Sequence, residues 1–213
     1  MTIQFAVVDV ETNGLSPSYH EITEISAIRC SDRVQLTMFI KCEHPERSNA
    51  DALMITHKTL ADLSQGISKE EAVEKLNKFL NEDGLTPAHR CFIAHNYTFD
   101  KKFIHALYDK VGQKLPVDLW ACSMALTKAY AKKIGLIKPK VNLHAACDLV
   151  GIRKLSEAHA SKVDTRNTYL LWKSLTEEKG MDYLPFIKTA EHIVKSASPA
   201  DDNEGLDPAL LDL

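Results

Sequence analysis

Asp9 and Glu11 stand two apart where a run of apolar residues, Ile3 to Val10 (IQFAVVDV), gives out. In an extended chain residues i and i+2 project to the same side, so both carboxylates can face one point in space. Two anions a few ångströms apart repel each other, and one takes up a proton unless a cation compensates them. Hard oxygen donors of this kind suit Mg²⁺ or Mn²⁺. By itself an Asp-x-Glu pair is common, and a polar strand end explains it as well as a pair of metal ligands does.

Two further places carry residues of the same chemistry. Asp100 follows the short apolar run Cys91 to Ala94 and the pair His95-Asn96, within Ala94-His95-Asn96-Tyr97-Thr98-Phe99-Asp100. It falls in the first turn of a helix marked by Phe99, Phe103, Leu107 and Val111, where an anion is favoured. Phe103 reads as core, whereas Phe99, beside Asp100, is placed either to pack or to touch a base. The third place is His159-Ala-Ser-Lys-Val-Asp164. Five residues along a helix turn about 500°, which leaves the two side chains roughly 140° apart. If both serve one site, His159 belongs to the loop before the helix that carries Asp164.

The elements that must position these residues are an α/β set in the order βββ-α-β-α-β-α-α. Ile3 to Val10 has the continuous apolar character of a strand covered on both faces. Glu21 to Cys30 and Val34 to Cys42 follow as two strands of a hairpin-like succession. Ser68-Lys69-Glu70-Glu71 has capping-box form and opens a helix with Val73, Leu76, Phe79 and Leu80 in one stripe. Cys91 to Ala94 is the fourth strand, and Pro116-Val117 is a candidate fifth. Helices are expected over about Leu119 to Lys132, Asn142 to Val150, Lys162 to Leu175, and Leu184 to Lys195. The expected sheet is therefore central, mixed and five-stranded, with three antiparallel strands first and parallel strands after. No internal repeat is present.

Composition bounds what such a protein can be. The 213 residues, 45% apolar and 26% charged, fit one globular domain of ordinary size over 1–195 and a flexible acidic tail over 196–213, which begins SASPADDNEG. There is no apolar run of membrane-spanning length and no leader pattern at the start, so the expected location is the cytoplasm, of a cell or of the host of a virus. The five cysteines show no CxxC spacing, which argues for small buried thiols rather than disulfides or a zinc site. The net charge of −3 is unlike that of a protein gripping long duplex DNA through many phosphates. Any nucleic acid would be held at a local site, with weak grip unless a partner supplies affinity. Lys132, Lys133, Lys138 and Lys140 crowd one connector and fit either strand phosphates or a solvated face.

Taken together, the strings VVDVETNGL, IAHNYTFDKKF and EAHASKVD resemble the three motifs of the DnaQ-like 3′→5′ exonucleases. They resemble most the DEDDh branch, named for four acidic residues and a histidine; the sister branch would need a tyrosine where Ala160 stands. The resemblance runs from about Ile3 to Trp172, and Glu21 to Ile25 and Asp118 also look like recurring family positions. It implies a ribonuclease H-like fold and two divalent cations, Mg²⁺ or Mn²⁺. Asp9, Glu11 and Asp164 would hold the tighter ion, Asp9 and Asp100 the second, and His159 would act as general base. Thr12, Asn13 and Leu15 match positions that contact the terminal nucleotide, with Asn96 and Phe99 lining the same pocket. The Ile55-Thr56-His57-Lys58 segment departs from the His-Gly-Ile of many relatives. The activity implied is removal of nucleotides from a single-stranded 3′ end, with DNA proofreading or processing first and RNA 3′-end trimming second. A non-catalytic polymerase-binding module is the third. The apolar residues of Gly205 to Leu213 would suit docking on a polymerase or sliding clamp; simple disorder is the competing expectation.

Overall fold

β1 (Gln4–Thr12) is the organising element of the computed structural model, which describes residues 3–153 and 161–189. Its alternate residues feed two separate cores. Ala6, Val8 and Val10 pack with one layer of helices, while Val7, flanked by the half-buried Phe5, packs with the other. An apolar run without alternation is what a strand covered on both faces requires.

β2 (Ile22–Arg29) and β3 (Gln35–Phe39) continue antiparallel on one side of β1. On its other side β4 (Arg90–Ala94) and β5 (Leu119–Cys122) run parallel, and β6 (Ile187–Thr189) closes the edge antiparallel to β5. The order is β3-β2-β1-β4-β5-β6. Helices α1 (Ala50–Thr56), α2 (Leu60–Leu63) and α3 (Lys69–Asn81) fill the long crossover from β3 to β4. α4 (Tyr97–Val111) joins β4 to β5, and α5 (Ser123–Lys133), α6 (Leu143–Val150) and α7 (Ser161–Lys173) follow. α3 and α4 cover one face through Val73, Leu76, Phe103 and Ile104. α5, α6 and α7 cover the other through Leu126, Cys147, Leu171 and Trp172.

The three antiparallel strands followed by parallel ones match expectation, but the sheet has six strands among the described residues rather than five. The helix expected from Leu184 is instead a 3-10 turn over Leu184–Phe186 and then β6. Pro185 sits at the start of the 3-10 turn, where its missing amide leaves no bond unmade, and Ile187 and Thr189 are β-branched. Pairing there also covers the otherwise open edge of β5. The strand expected at Pro116-Val117 lies slightly later, at Leu119–Cys122, and takes the first residues assigned to the next helix. A short apolar run suits either state, and parallel pairing with Cys91 to Ala94 decides it. α1 and α2 were not expected; Asn49 and Thr59 cap them, accepting from the Asp51 and Asp62 amides. The five cysteines are free thiols, four of them buried. No described helix is long and apolar enough to cross a membrane. The proposed tail boundary at 195/196 lies outside the described residues.

One buried ion pair fastens α3 to the loop after β1. The Lys69 ammonium lies 2.5 Å from Glu21 and 2.6 Å from Glu43, and the His44 amide donates to Glu21. Burial alone would push the Glu21 carboxyl up, but the bonds from Lys69 and His44 outweigh it and hold the group below its ordinary range. Lys69→Met leaves the buried Glu21 with the more distant Lys110, at 3.9 Å, and should cost about 3 kcal/mol at neutral pH in urea unfolding. Because the Glu21 pKa is depressed by folding, the contribution exists above the ordinary carboxylate pKa and fades as pH falls below it. The gap between variant and parent should therefore narrow in acid; a gap independent of pH would contradict this.

Candidate active site

The carboxylates meet where β1 outruns its parallel neighbour. β4 pairs with β1 only from Gln4 to Val7, and β1 then continues to Thr12 with that edge open. Asp9 and Glu11 fall on this extension and prolong the Phe5–Val7 face, the one covered by α7. Asp164 descends from the first turn of α7. One carboxylate oxygen from each of Asp9, Glu11 and Asp164 lies within 4.8 Å of the others. Asp100, in the first turn of α4, comes from the opposite layer and accepts from the Val10 amide at 3.2 Å. That amide is one the missing β4 partner would otherwise leave unpaired.

The electrostatic cost of this gathering is visible in the pKa directions. Asp9 is pushed well above its ordinary value by burial, then by the charges of Asp100, Glu11 and Asp164. Burial raises Glu11 to about 8, with Asp164 adding to the effect and Lys58 opposing it. Asp100 rises to about 7, again through burial, against the bond from Val10. Acceptor-only groups that cannot comfortably share negative charge fit a hard divalent cation.

Sequence reasoning noted Glu24 only as a recurring position and missed the network around it. Glu24 pairs in register with Glu11 across β1 and β2. Its Oε1 accepts from Ser161 Oγ at 2.7 Å and its Oε2 from Lys58 Nζ at 3.1 Å. All three side chains are largely buried. Ser161 is the first residue of α7, so this network fixes the helix end that presents Asp164. Thr165 repeats the close approach one turn on, donating to the Ser26 carbonyl of β2 at 3.4 Å. Nothing local could have signalled it, because Lys58 and Ser161 lie 34 and 137 positions from Glu24.

The nucleotide-contact candidates divide into two groups. Thr12 and Asn13 are buried and shape the loop after β1. Thr12 Oγ1 donates to the Gly14 carbonyl, while Asn13 accepts from the Glu21 amide and donates to Ser48. The same loop packs the His20 ring so tightly over Gly14 that a Cβ there would stand 2.1 Å from it. Leu15, by contrast, is 52% exposed, so it is not a core residue. Phe99 is half-buried with its ring 4.9 Å from that of Phe103, and Phe103 is core. Asn96 precedes α4 and makes no capping bond with its side chain. His95, next to it, bonds Ser123 and the Val141 carbonyl, and burial lowers its pKa to about 4, which marks it as a neutral structural group. His159 lies outside the described residues. Among the four connector lysines, Lys132, Lys133 and Lys138 are exposed, as is Lys140.

A family model described as "Exonuclease" matches residues 6–172. Among curated proteins, the chain is 23% identical over 175 residues to a DNA polymerase III PolC-type of Staphylococcus haemolyticus, covering 82% of this chain and 11% of that protein. A Staphylococcus epidermidis protein of the same name is 26% identical over 203 residues, covering 92% and 13%. The chain thus spans little more than a tenth of these relatives. Among solved structures, E. coli exonuclease I in complex with a dT13 oligonucleotide has a TM-score of 0.70 at 16% identity, over 84% of this chain and 42% of that one. The nuclease domain of 3′hExo, a DEDDh family member bound to rAMP, has a TM-score of 0.66 at 13% identity, over 85% and 95%. The fold is therefore the ribonuclease H-like α/β arrangement of DEDDh nucleases.

Carboxyl groups whose pKa values folding raises contribute most to stability in acid and progressively less as pH climbs through the folded values. With Asp100 near 7 and Glu11 near 8, metal-free protein should lose stability between about pH 5 and pH 8. Mg²⁺ or Mn²⁺ should restore it, so the metal-induced rise in Tm should grow with pH. Glu11→Gln should raise the metal-free Tm at pH 8 and shrink that increment. A pH-independent increment, unchanged in the variant, would contradict the metal assignment.

Proposed function

The chain belongs to the exonuclease family, and on that premise we propose that it is a 3′→5′ exonuclease acting on single-stranded DNA and releasing nucleoside 5′-monophosphates. The observation that carries the reading is the packing of Asp9, Glu11 and Asp164 oxygens within 4.8 Å, with Asp100 bonded to Val10 beside them. Asp9, Glu11 and Asp164 would hold one divalent cation, and Asp9 and Asp100 a second; Mg²⁺ or Mn²⁺ suits the all-oxygen set. Bound there, a pair of such ions supplies charge stabilisation and water activation for an in-line displacement at phosphorus.

The residues of the chain do the rest. His159 is the general base that takes the proton of the attacking water, a role suited to a group titrating near neutrality. Leu15 wedges against the terminal base, with Phe99 and Asn96 lining the same pocket. Thr12 and Asn13 hold the loop that presents Leu15 and offer main-chain contacts to the nucleotide.

The polymerase relatives and the dT13-bound neighbour support DNA as substrate and a proofreading or processing role in the cytoplasm. The rAMP-bound neighbour supports the second reading, trimming of RNA 3′ ends. A polymerase or sliding clamp engaged through Gly205 to Leu213 would supply the affinity that a net charge of −3 withholds.

End-labelled single-stranded DNA and RNA of matched sequence, digested side by side with Mg²⁺, test the reading. DNA should shorten from its 3′ end and faster than RNA; faster RNA turnover moves the assignment to the second reading. Asp9→Ala should abolish digestion, and His159→Ala should lower kcat by about 10²–10⁴. Retention of full activity in Asp9→Ala would remove the catalytic role of the carboxylate cluster.

A further inference from the structure

Outside the carboxylate cluster, a cavity of about 580 Å³ opens between the loop after β1 and the outer face of α4. Pro17 and Ser18 form one wall, and Tyr97, Lys101, Lys102 and His105 the other. Its size falls in the range of small-molecule and nucleotide sites. On α4, positions 98, 101, 102 and 105 share one face, opposite the buried Asp100, Phe103, Ile104 and Leu107. The cavity thus lies on the far side of α4 from Asp100, and its loop wall starts at Pro17, two residues from Leu15. A second hollow, of about 510 Å³, shares Lys101, His105 and Asp109 with it and prolongs the groove toward Gly112–Asp118.

The lining is short of negative charge. Two lysines and a histidine face one carboxylate, that of Asp109, at the far end. Neither Lys101 nor Lys102 has an ion-pair partner among the described residues, although Lys101 is half-buried. Burial lowers the Lys101 pKa, and burial together with Lys101 lowers that of His105. An anion entering the groove would relieve both effects. Tyr97 and Pro17 add the flat apolar surface on which a base can stack.

We propose that this groove is the subsite for the strand upstream of the scissile bond, with Lys101 and Lys102 holding a backbone phosphate and Tyr97 stacking on the adjoining base. The assignment rests on the exonuclease reading for the direction of the strand. It explains how an acidic protein holds a single strand, through a few local phosphate contacts rather than a basic surface. It also makes affinity depend on substrate length.

The test compares the parent with Lys101→Ala/Lys102→Ala and Lys101→Arg/Lys102→Arg. Binding of fluorescent dT2 and dT8 is measured by anisotropy in Ca²⁺, and hydrolysis of thymidine 5′-(p-nitrophenyl phosphate) in Mn²⁺ reports the carboxylate site alone. The alanine pair should weaken dT8 binding at least tenfold and flatten its dependence on log salt by about 0.7, as loss of one single-strand phosphate contact requires. Binding of dT2 and hydrolysis of the small ester should stay within twofold, and the arginine pair should restore dT8 binding. Unchanged dT8 affinity, an equal loss for both lengths, or no preference of the parent for dT8 would overturn the proposal. If the parent bound dT8 but hydrolysed neither ester nor oligonucleotide, the exonuclease reading would fail while the binding comparison still decided the groove.

Discussion

Mutual repulsion among buried carboxylates is the constraint around which this molecule is built. Asp9, Glu11 and Asp164 place oxygens within 4.8 Å of one another, and Asp100 is the neighbouring charge that weighs most on Asp9. Such a cluster relaxes apart unless each member is carried by something stiff. Here the carriers are the central strand β1 and the first turns of two helices from opposite layers, α4 and α7. Asp9 and Glu11 are fixed by the ladder to Ser26 and Glu24, Asp100 by the Val10 amide, and Asp164 by the packing of α7 on β1 and β2. Both cores converge on this one strand end, so the layers are positioned by the same packing that positions the charges.

The surroundings moderate the repulsion without cancelling it. Lys58 is a cation that acts on Glu11, and it reaches the site from the end of α1 through Glu24. Lys69 serves Glu21 at the base of the neighbouring loop in the same manner. Neither ammonium lies among the three converging oxygens, so the cluster remains short of positive charge. That deficit would give divalent ions their affinity, and the stability withheld from the metal-free fold would return on binding.

How much of this was legible in the sequence depends on the range of the interaction. Asp9 and Glu11 could be paired from spacing alone, because a strand has a period of two and the apolar run before them identifies the strand. Asp100 and the stripe Phe103–Leu107 were legible from helical period and position near a helix start. The β5 boundary was not, since Leu119 to Cys122 suits a helix equally well until β4 lies beside it. β6 was hidden for a similar reason: its few residues become a strand only by covering the edge of β5. The Glu24–Lys58–Ser161 network was beyond reach, because no local pattern relates residues that far apart. Thr12 and Asn13 were expected at the nucleotide, and their side chains prove to be engaged within the loop.

Metal placement tests the account most directly. Crystals grown with Mn²⁺ and a nucleoside 5′-monophosphate would locate the ions by anomalous scattering at the manganese edge. The account predicts two peaks about 4 Å apart, one bounded by Asp9, Glu11 and Asp164 and the other by Asp9 and Asp100. Absence of manganese between these carboxylates under saturating metal, or its binding elsewhere on the chain, would contradict it.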